Sequence, residues 1–191
     1  EIGACDWSSD VCSSDLSFLA TTAAAVSVGA ASAGCLGGVF ESGTGAFLQF
    51  KAISVTWRRD NETYRAEVLD VAHHVDEGTI EGYYDPEYAS NAVQPATSIA
   101  VGESLHDRLT REFDEVEYVL GACGDGFGDG DTVGCLNQRA GREDFDAAPL
   151  TGRVTLADRN DQFDVLDAEP GEYTVDEVAL RERAYDAWVE D

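Results

Sequence analysis

Basic residues are scarce in this sequence. Its 191 residues include 12 lysines and arginines against 38 aspartates and glutamates, a formal net charge of -26, and Lys51 is the only lysine. A polyanion of this size is repelled by nucleic acid phosphates and by anionic membrane surfaces. We therefore expect no nucleic acid partner and no attachment to a membrane through surface charge.

Sequence signatures of catalysis are also lacking. The sequence contains no Ser-His-Asp ordering, no glycine-rich phosphate loop and no His-Glu pair of the kind that metalloproteases carry on a helix. His73 and His74 are adjacent on a predicted strand, so their side chains point to opposite faces and cannot share one metal without a bulge. His106, beside Asp107 on a predicted helix, is the candidate general base of a small hydrolase, with a solvated helix face as the alternative. The lack of these catalytic signatures favours a non-enzymatic domain.

The composition that is present suits one folded domain preceded by a leader. Hydrophobic residues make up 43% of the chain, which is enough to build a core. Acidic residues are spread along the whole length, and this pattern with almost no lysine resembles the proteins of salt-loving archaea. Concentrated salt screens the self-repulsion that strains a compact polyanion in dilute buffer. The resemblance implies a protein that folds and works in high salt.

The first residues do not resemble a protein segment. Residues 6–16 read Asp-Trp-Ser-Ser-Asp-Val-Cys-Ser-Ser-Asp-Leu, without hydrophobic period or turn pattern, and resemble a translated sequencing-library adapter. We therefore expect residues 1–16 to be non-native, and Cys5, Cys12 and Trp7 are left out of the reasoning on fold and sites.

A leader is expected next. Residues 17–34 are small, apolar and uncharged, and a stretch this short and rich in Ala and Gly is typical of a signal peptide rather than of a membrane span. It ends at Ser32-Ala33-Gly34-Cys35, which resembles a lipobox, although Ser32 stands where an apolar residue is usual. The resemblance implies that Cys35 receives a lipid.

The start of the leader resembles a second export signal. Ser17-Phe18-Leu19-Ala20 is similar to the end of a twin-arginine motif, with Asp15 and Leu16 at the places of the two arginines. Taken together, these resemblances imply an exported lipoprotein of haloarchaeal type, held at the extracytoplasmic face of the membrane by lipid on Cys35. Residues 35–45 then form a glycine-rich tether, and residues 46–191 form one globular domain.

The globular part contains strand patterns and helix patterns without regular alternation. Strands are predicted over residues 46–57, 63–75, 80–84, 116–122, 154–157 and 162–166, with turns at 58–62 and 159–161. Helices are predicted over residues 102–112 and 175–189. Thr174 and Glu177 form a capping box for the second helix, whose apolar face contains Val175, Val178, Tyr185 and Trp188 as expected core residues.

These elements predict an α+β fold. A small antiparallel sheet or a partly open five-stranded barrel with two helices accommodates them, and the barrel would have the oligonucleotide/oligosaccharide-binding (OB) shape. The segment from Phe145 to Leu156 resembles the start of a barrel strand. A likeness of fold alone indicates no ligand.

Two cysteines remain in the globular part once Cys35 is assigned to lipid. Cys123 and Cys135 flank a Gly/Asp loop, and an exported protein meets oxidising conditions, so we predict a disulfide between them. A zinc site is the alternative, but it needs two further ligands, and no Cys or His lies nearby in the sequence.

Two further sites are candidates. Asp125, Asp129 and Asp131 lie among glycines between the two cysteines and present the oxygen ligands that calcium takes, although their spacing does not fit an EF-hand. An acidic surface loop is the alternative, and no other cofactor is implied. Asn61 begins the sequon Asn-Glu-Thr at the predicted tip of the first hairpin, where a glycan fits.

The leading hypothesis is therefore a non-enzymatic, lipid-anchored surface domain that binds a protein or glycan partner or organises the envelope. A calcium- or small-ligand-binding module that uses the loop of residues 123–135 is the first alternative, and a small hydrolase is the second.

Overall fold

The computed structural model describes residues 43–128, 132–171 and 173–187. Its strands are β1 (Thr44–Arg59), β2 (Glu62–His74), β3 (Thr79–Tyr84), β4 (Glu115–Gly124), β5 (Gly134–Ala140), β6 (Arg153–Asp158), β7 (Gln162–Glu169) and β8 (Glu177–Glu182). Its α-helices are α1 (Glu103–Glu112) and α2 (Arg142–Ala147). Among these ranges, no helix has the length and apolar character that crossing a bilayer requires. The predicted adapter-derived segment, leader, tether up to residue 42 and lipidated Cys35 lie outside the described residues.

Five strands close into a barrel. Strand β1 pairs antiparallel with β4 and, at its start, with β6. Strand β5 pairs antiparallel with β4 and parallel with β7, and the β6–β7 hairpin completes the ring. The ring order β1-β4-β5-β7-β6, with α2 between β5 and β6, has the strand arrangement of an OB-like barrel. The predicted α+β, OB-like fold with two helices is confirmed.

A second part of the sheet extends from β1. Strand β2 pairs antiparallel with β1 and with β3, and β8 pairs parallel with β3 at the outer edge. The 16-residue β1 serves both the barrel and this extension, and its pairings contain register shifts near Leu48 and after Ile53. Such bulges bend a strand and increase its twist, which lets one strand belong to both parts.

Tight turns fix the two hairpins that the sequence predicts. Asp60 and Asn61 have φ angles of 53° and 70°, and Asn160 and Asp161 have 57° and 61°. Positive φ at both central residues is typical of two-residue turns that match the twist of a hairpin, and Asn and Asp tolerate it best after glycine. The predicted turns at 58–62 and 159–161 are therefore confirmed, together with the strands on either side.

The prediction of a C-terminal helix over residues 175–189 is wrong. Residues Glu177–Glu182 form β8, so Thr174 and Glu177 make no capping box, and Val178 is 51% exposed. Without β8, the outer edge of β3 would present a row of unpaired backbone N–H and C=O groups. Hydrogen bonding of β8 to this edge outweighs the local helix propensity of its segment. Trp188, at the end of the expected apolar face, lies outside the described residues. The second helix is instead α2.

Candidate functional site

A groove of about 520 Å³ lies on the sheet extension, outside the barrel. Its lining comes from one stretch of β2, from β3 and from the segment that follows β8. The lining residues are Tyr64, Arg65, Ala66, Glu67, Tyr83, Arg183 and Tyr185. Three tyrosines and two arginines thus meet in one concave place of a strongly acidic chain.

A bulge in β2 shapes the floor of the groove. Ile53 pairs with Leu69 but Ser54 pairs with Glu67, so Val68 is an extra residue on β2. The carbonyl oxygen of Val68 accepts a hydrogen bond of 2.8 Å from the backbone N–H of Asp85. Residues 64–67 pair regularly with β1 beyond the bulge, and the hydrogen bond of Val68 ties β2 to the loop after β3.

Arg183, which follows β8, contacts the ring of Tyr83 on β3 and so fixes one wall of the groove. The guanidinium carbon of Arg183 lies 3.1 Å from the centroid of the Tyr83 ring, a cation–π arrangement. The backbone N–H of Arg183 also donates to the carbonyl oxygen of Tyr84 at 2.9 Å. Backbone and side chain thus fix Arg183 against β3.

An aromatic cluster anchors the segment that follows β8. The ring of Tyr185 lies 5.0 Å from Trp57, 5.2 Å from Phe113 and 5.7 Å from Tyr88, all in edge-to-face geometry. Such aromatic contacts add about 0.5–1.5 kcal/mol each beyond the burial of area. The prediction that Tyr185 is a core residue is confirmed, and the same residue also lines the groove.

A buried carboxylate completes this anchoring. Asp85 is 3% exposed. Its Oδ2 accepts a hydrogen bond of 2.9 Å from the backbone N–H of Tyr185. Its Oδ1 accepts bonds from the N–H groups of Glu87 and Tyr88 at 2.7 and 3.2 Å. One side chain therefore connects the loop after β3 to the last wall of the groove.

The hydroxyl groups of the groove remain protonated at neutral pH. Burial, followed by the neighbouring Asp70 carboxylate, raises the pKa of Tyr83 to about 12. A hydrogen bond to Glu62, followed by burial, raises the pKa of Tyr64. Burial, with Glu67 as the next cause, raises the pKa of Asp70. The groove therefore offers neutral hydroxyls, guanidinium donors and carboxylate acceptors together.

The barrel face that binds ligands in other OB folds is occupied differently here. That face lies on the second and third strands of the ring, which are β4 and β5. Glu117 on β4 is 7% exposed and forms ion pairs with Arg65, at 2.7 Å, and with Arg139. The same two strands are joined by a disulfide between Cys123 and Cys135. This face therefore carries ion pairs and a crosslink, while Cys135, Asn137 and Arg139 of β5 remain exposed on it.

The predicted disulfide is confirmed, whereas the loop that it closes is described only in part. Cys123 and Cys135 stand directly opposite each other on β4 and β5. Asp125 lies in a short 3-10 turn that follows β4, and Asp129 and Asp131 lie outside the described residues. Within the described ranges, no group of three or more His, Cys, Asp and Glu side chains could hold a metal ion. Calcium binding by this loop stays a prediction.

The histidines lie apart, as the strand pattern indicates. His73 is fully buried, with Nδ1 3.1 Å from the carbonyl oxygen of Leu150, and burial lowers its pKa. His74 points outward to Glu81 at 2.9 Å. The predicted opposite orientation of His73 and His74 is therefore confirmed.

The remaining two sequence candidates are placed as follows. Nδ1 of His106 on α1 lies 2.7 Å from the hydroxyl of Tyr118, and burial raises the pKa of this tyrosine to about 12. The role of His106 as a general base stays a prediction. Asn61 is exposed at the tip of the β1–β2 hairpin, where the sequon was expected to lie.

A buried lysine is the main feature that the sequence reasoning missed. Lys51 on β1 is fully buried, and its ammonium donates to three backbone carbonyl oxygens, those of Ile99, Phe145 and Ala148, at 2.6, 2.5 and 2.9 Å. Its Nζ also lies 4.1 Å from the Phe145 ring centroid. Burial lowers the pKa of Lys51 to about 7, and Asp146 opposes this shift. The signal was visible as the single lysine within an otherwise apolar and neutral strand pattern.

Comparison of the chain with models of known protein families, with curated proteins and with solved structures finds no match. The functional proposal therefore depends on the groove and on the chemistry of its lining residues.

Proposed function

We propose that this chain is an exported, lipid-anchored domain of the cell envelope that binds a ligand in the groove of the sheet extension. The sequence supports the address through the leader-like residues 17–34 and the lipobox-like Ser32-Ala33-Gly34-Cys35. The acidic composition, with a net charge of -26, supports a working environment of high salt. Binding, rather than catalysis, is the activity that these features favour.

One observation carries the binding proposal. Tyr64, Tyr83 and Tyr185 line a concave site together with the guanidinium groups of Arg65 and Arg183. Tyrosine and arginine, together with tryptophan, are the residues enriched at binding hot spots, because each combines a large contact area with a polar group.

The walls of the groove are fixed before any ligand arrives. Arg183 is held by the Tyr83 ring and by the carbonyl oxygen of Tyr84, and Tyr185 is held by Asp85 and the aromatic cluster. A site whose side chains are already ordered loses less conformational entropy on binding. This order favours a binding role for the groove over a merely incidental surface hollow.

Cell fractionation tests the address. The gene, with Asp15 and Leu16 replaced by arginine, is expressed in a halophilic archaeon beside a variant that also carries Cys35→Ser. The chain that keeps Cys35 is expected in the membrane pellet and the Cys35→Ser variant in the medium. Recovery of both from the cytoplasm would overturn the export and anchoring proposal.

Sedimentation with the envelope tests the binding. The released Cys35→Ser protein is mixed with washed envelopes in molar potassium chloride, and the bound fraction is measured after centrifugation. We expect Arg183→Gln to weaken the association constant about tenfold, which corresponds to about 1.4 kcal/mol. Arg159→Gln is the matched control, because Arg159 pairs with Asp164 at 3.2 Å beside the β6–β7 turn. Equal sedimentation of both variants would remove the groove from the proposal.

A further inference from the structure

We propose that the groove binds a neutral carbohydrate. This inference rests on the proposed function of the groove as the ligand site, and it adds the chemical class of the ligand. It is carried by three properties of the lining, namely its flat aromatic rings, its mixed hydrogen-bonding groups and its surrounding negative charge.

The first property is the presence of half-buried tyrosine rings. The Tyr64 ring stacks on Trp57 at 5.7 Å with an angle of 23° between the planes, and it contributes to the lining. The Arg183 guanidinium lies over the Tyr83 ring, and Tyr185 stands edge-on to its aromatic neighbours. A sugar ring has apolar C–H faces, and tyrosine rings that are held in place by such contacts present a matching surface.

The second property is a mixture of donors and acceptors at short range. Arg65 and Arg183 bear N–H donors, Glu67 bears acceptor oxygens, and the tyrosine hydroxyls can do both. Sugar hydroxyls likewise donate and accept. A purely apolar ligand would remove water from these polar groups and offer no hydrogen bond in return, which is costly. The lining therefore favours a polyhydroxylated ligand over a hydrophobic one.

The third property is the charge around the groove. Glu67 lines the site, the Tyr64 hydroxyl donates to Glu62 at 2.9 Å, and the Tyr84 hydroxyl donates to Glu182 at 3.3 Å. Arg65 already forms an ion pair with Glu117 at 2.7 Å. An anionic ligand would meet these carboxylates at contact distance, where concentrated salt screens their repulsion least. Uronic, sulfated and phosphorylated ligands are therefore disfavoured against neutral sugars.

Two measurements with the full chain test this inference. The first repeats the envelope sedimentation after mild periodate oxidation, which cleaves vicinal diols of sugars and leaves most protein structure intact. The second is calorimetric titration in molar potassium chloride with maltohexaose and N-acetylchitohexaose as neutral probes, and with hexagalacturonate as the anionic probe. Both are carried out on the released Cys35→Ser protein and on the same protein with Tyr64→Ala, Arg183→Gln or Arg159→Gln.

We expect periodate to abolish sedimentation, a neutral hexasaccharide to bind, and both groove variants to weaken its binding about tenfold while Arg159→Gln leaves it unchanged. Tyr64 and Arg183 lie on separate segments, so loss of folding in one variant leaves the other as a test.

The contrary outcomes separate the two proposals. Sedimentation that survives periodate but is still lost in Arg183→Gln, together with no binding of either neutral hexasaccharide, would overturn the carbohydrate and keep the groove as a ligand site. Tighter binding of hexagalacturonate than of both neutral probes would overturn neutrality. Unchanged sedimentation and sugar binding in both groove variants would overturn the groove itself.

Discussion

Replacing Lys51 by methionine is expected to remove a rise of stability with pH that the wild-type protein shows. The ammonium is fully buried and donates to three carbonyl oxygens, of which those of Phe145 and Ala148 belong to the C-terminal end of α2 and its cap. Methionine keeps the length of the side chain but carries no titratable group. The comparison therefore isolates the protonation of one amine.

The size of the effect follows from the pKa of Lys51. Burial lowers it from 10.5 to about 7 in the folded state. Between about pH 7 and about pH 9.5 the unfolded chain keeps this proton while the folded protein loses it, so the unfolded state binds more protons and stability rises with pH. At 1.36 kcal/mol per pKa unit, the free energy of unfolding increases by about 3 kcal/mol over this interval.

Three other groups are moved away from this window. Burial lowers the pKa of His73 and raises the pKa of Tyr83 and of Tyr118 to about 12. Any remaining contribution is common to the wild type and the Lys51→Met variant and cancels in their difference.

The assay is denaturant unfolding in molar potassium chloride at several pH values across the window. We expect the wild type to gain about 3 kcal/mol relative to Lys51→Met between about pH 7 and about pH 9.5. Arg59→Met, which removes a largely exposed cation from the same strand, should follow the wild type. Parallel curves for the wild type and Lys51→Met would refute the lowered pKa, and would mean that the three carbonyl groups keep the amine charged.

Two further predictions concern the anchoring of the groove and the barrel crosslink. Asp85→Asn retains one acceptor but turns an amide N–H₂ toward the N–H of Tyr185, which should destabilise the docked segment by about 2 kcal/mol and speed amide exchange at Tyr185. Asp186→Asn, on an exposed neighbour, should leave the exchange rate unchanged. Reducing the Cys123–Cys135 disulfide should cost about 3 kcal/mol in the chain-entropy description, and thus lower the melting temperature by about 10 °C.

Each of these two predictions has a contrary outcome. Equal amide exchange at Tyr185 in Asp85→Asn and Asp186→Asn would show that the aromatic cluster alone docks the segment. A melting temperature that does not respond to reductant, with two thiols counted in the native exported protein, would refute the bridge. A Cys123→Ala/Cys135→Ala variant that still loses stability in reductant would assign the effect to other cysteines.

The elements predicted correctly are those whose signals are local. The hairpin turns at Asp60-Asn61 and Asn160-Asp161 follow from residues that tolerate positive φ, and α1 follows from apolar residues at intervals of four. Strand β1 follows from a long run of β-branched and aromatic residues. In each case the residues that fix the structure lie within one window of the sequence.

The elements that were missed or wrongly predicted depend on distant partners. Strand β5 has no β-branched residue and is held by β4 and β7 on its two sides. Strand β8 takes its form from the edge of β3, about 100 residues earlier, so local propensity predicted a helix instead. The groove combines β2, β3 and the segment after β8, and no sequence window contains all three. The bulge in β2 was not predicted either, because it is visible only in the pairing register of β1 and β2.

The groove lies outside the barrel, so the OB-like fold alone would not have indicated where it is. An OB-like barrel directs attention to its second and third strands, and here that face carries Glu117, two arginines and a disulfide. The chain between β1 and β4 adds strands β2 and β3 and so creates a second surface, which the segment after β8 completes. Because that segment both lines the groove and is docked through Asp85 and Tyr185, a ligand that contacts Arg183 must also stabilise the docking. The coupling is reciprocal by linkage, so Asp85→Asn should weaken ligand binding although Asp85 does not line the groove.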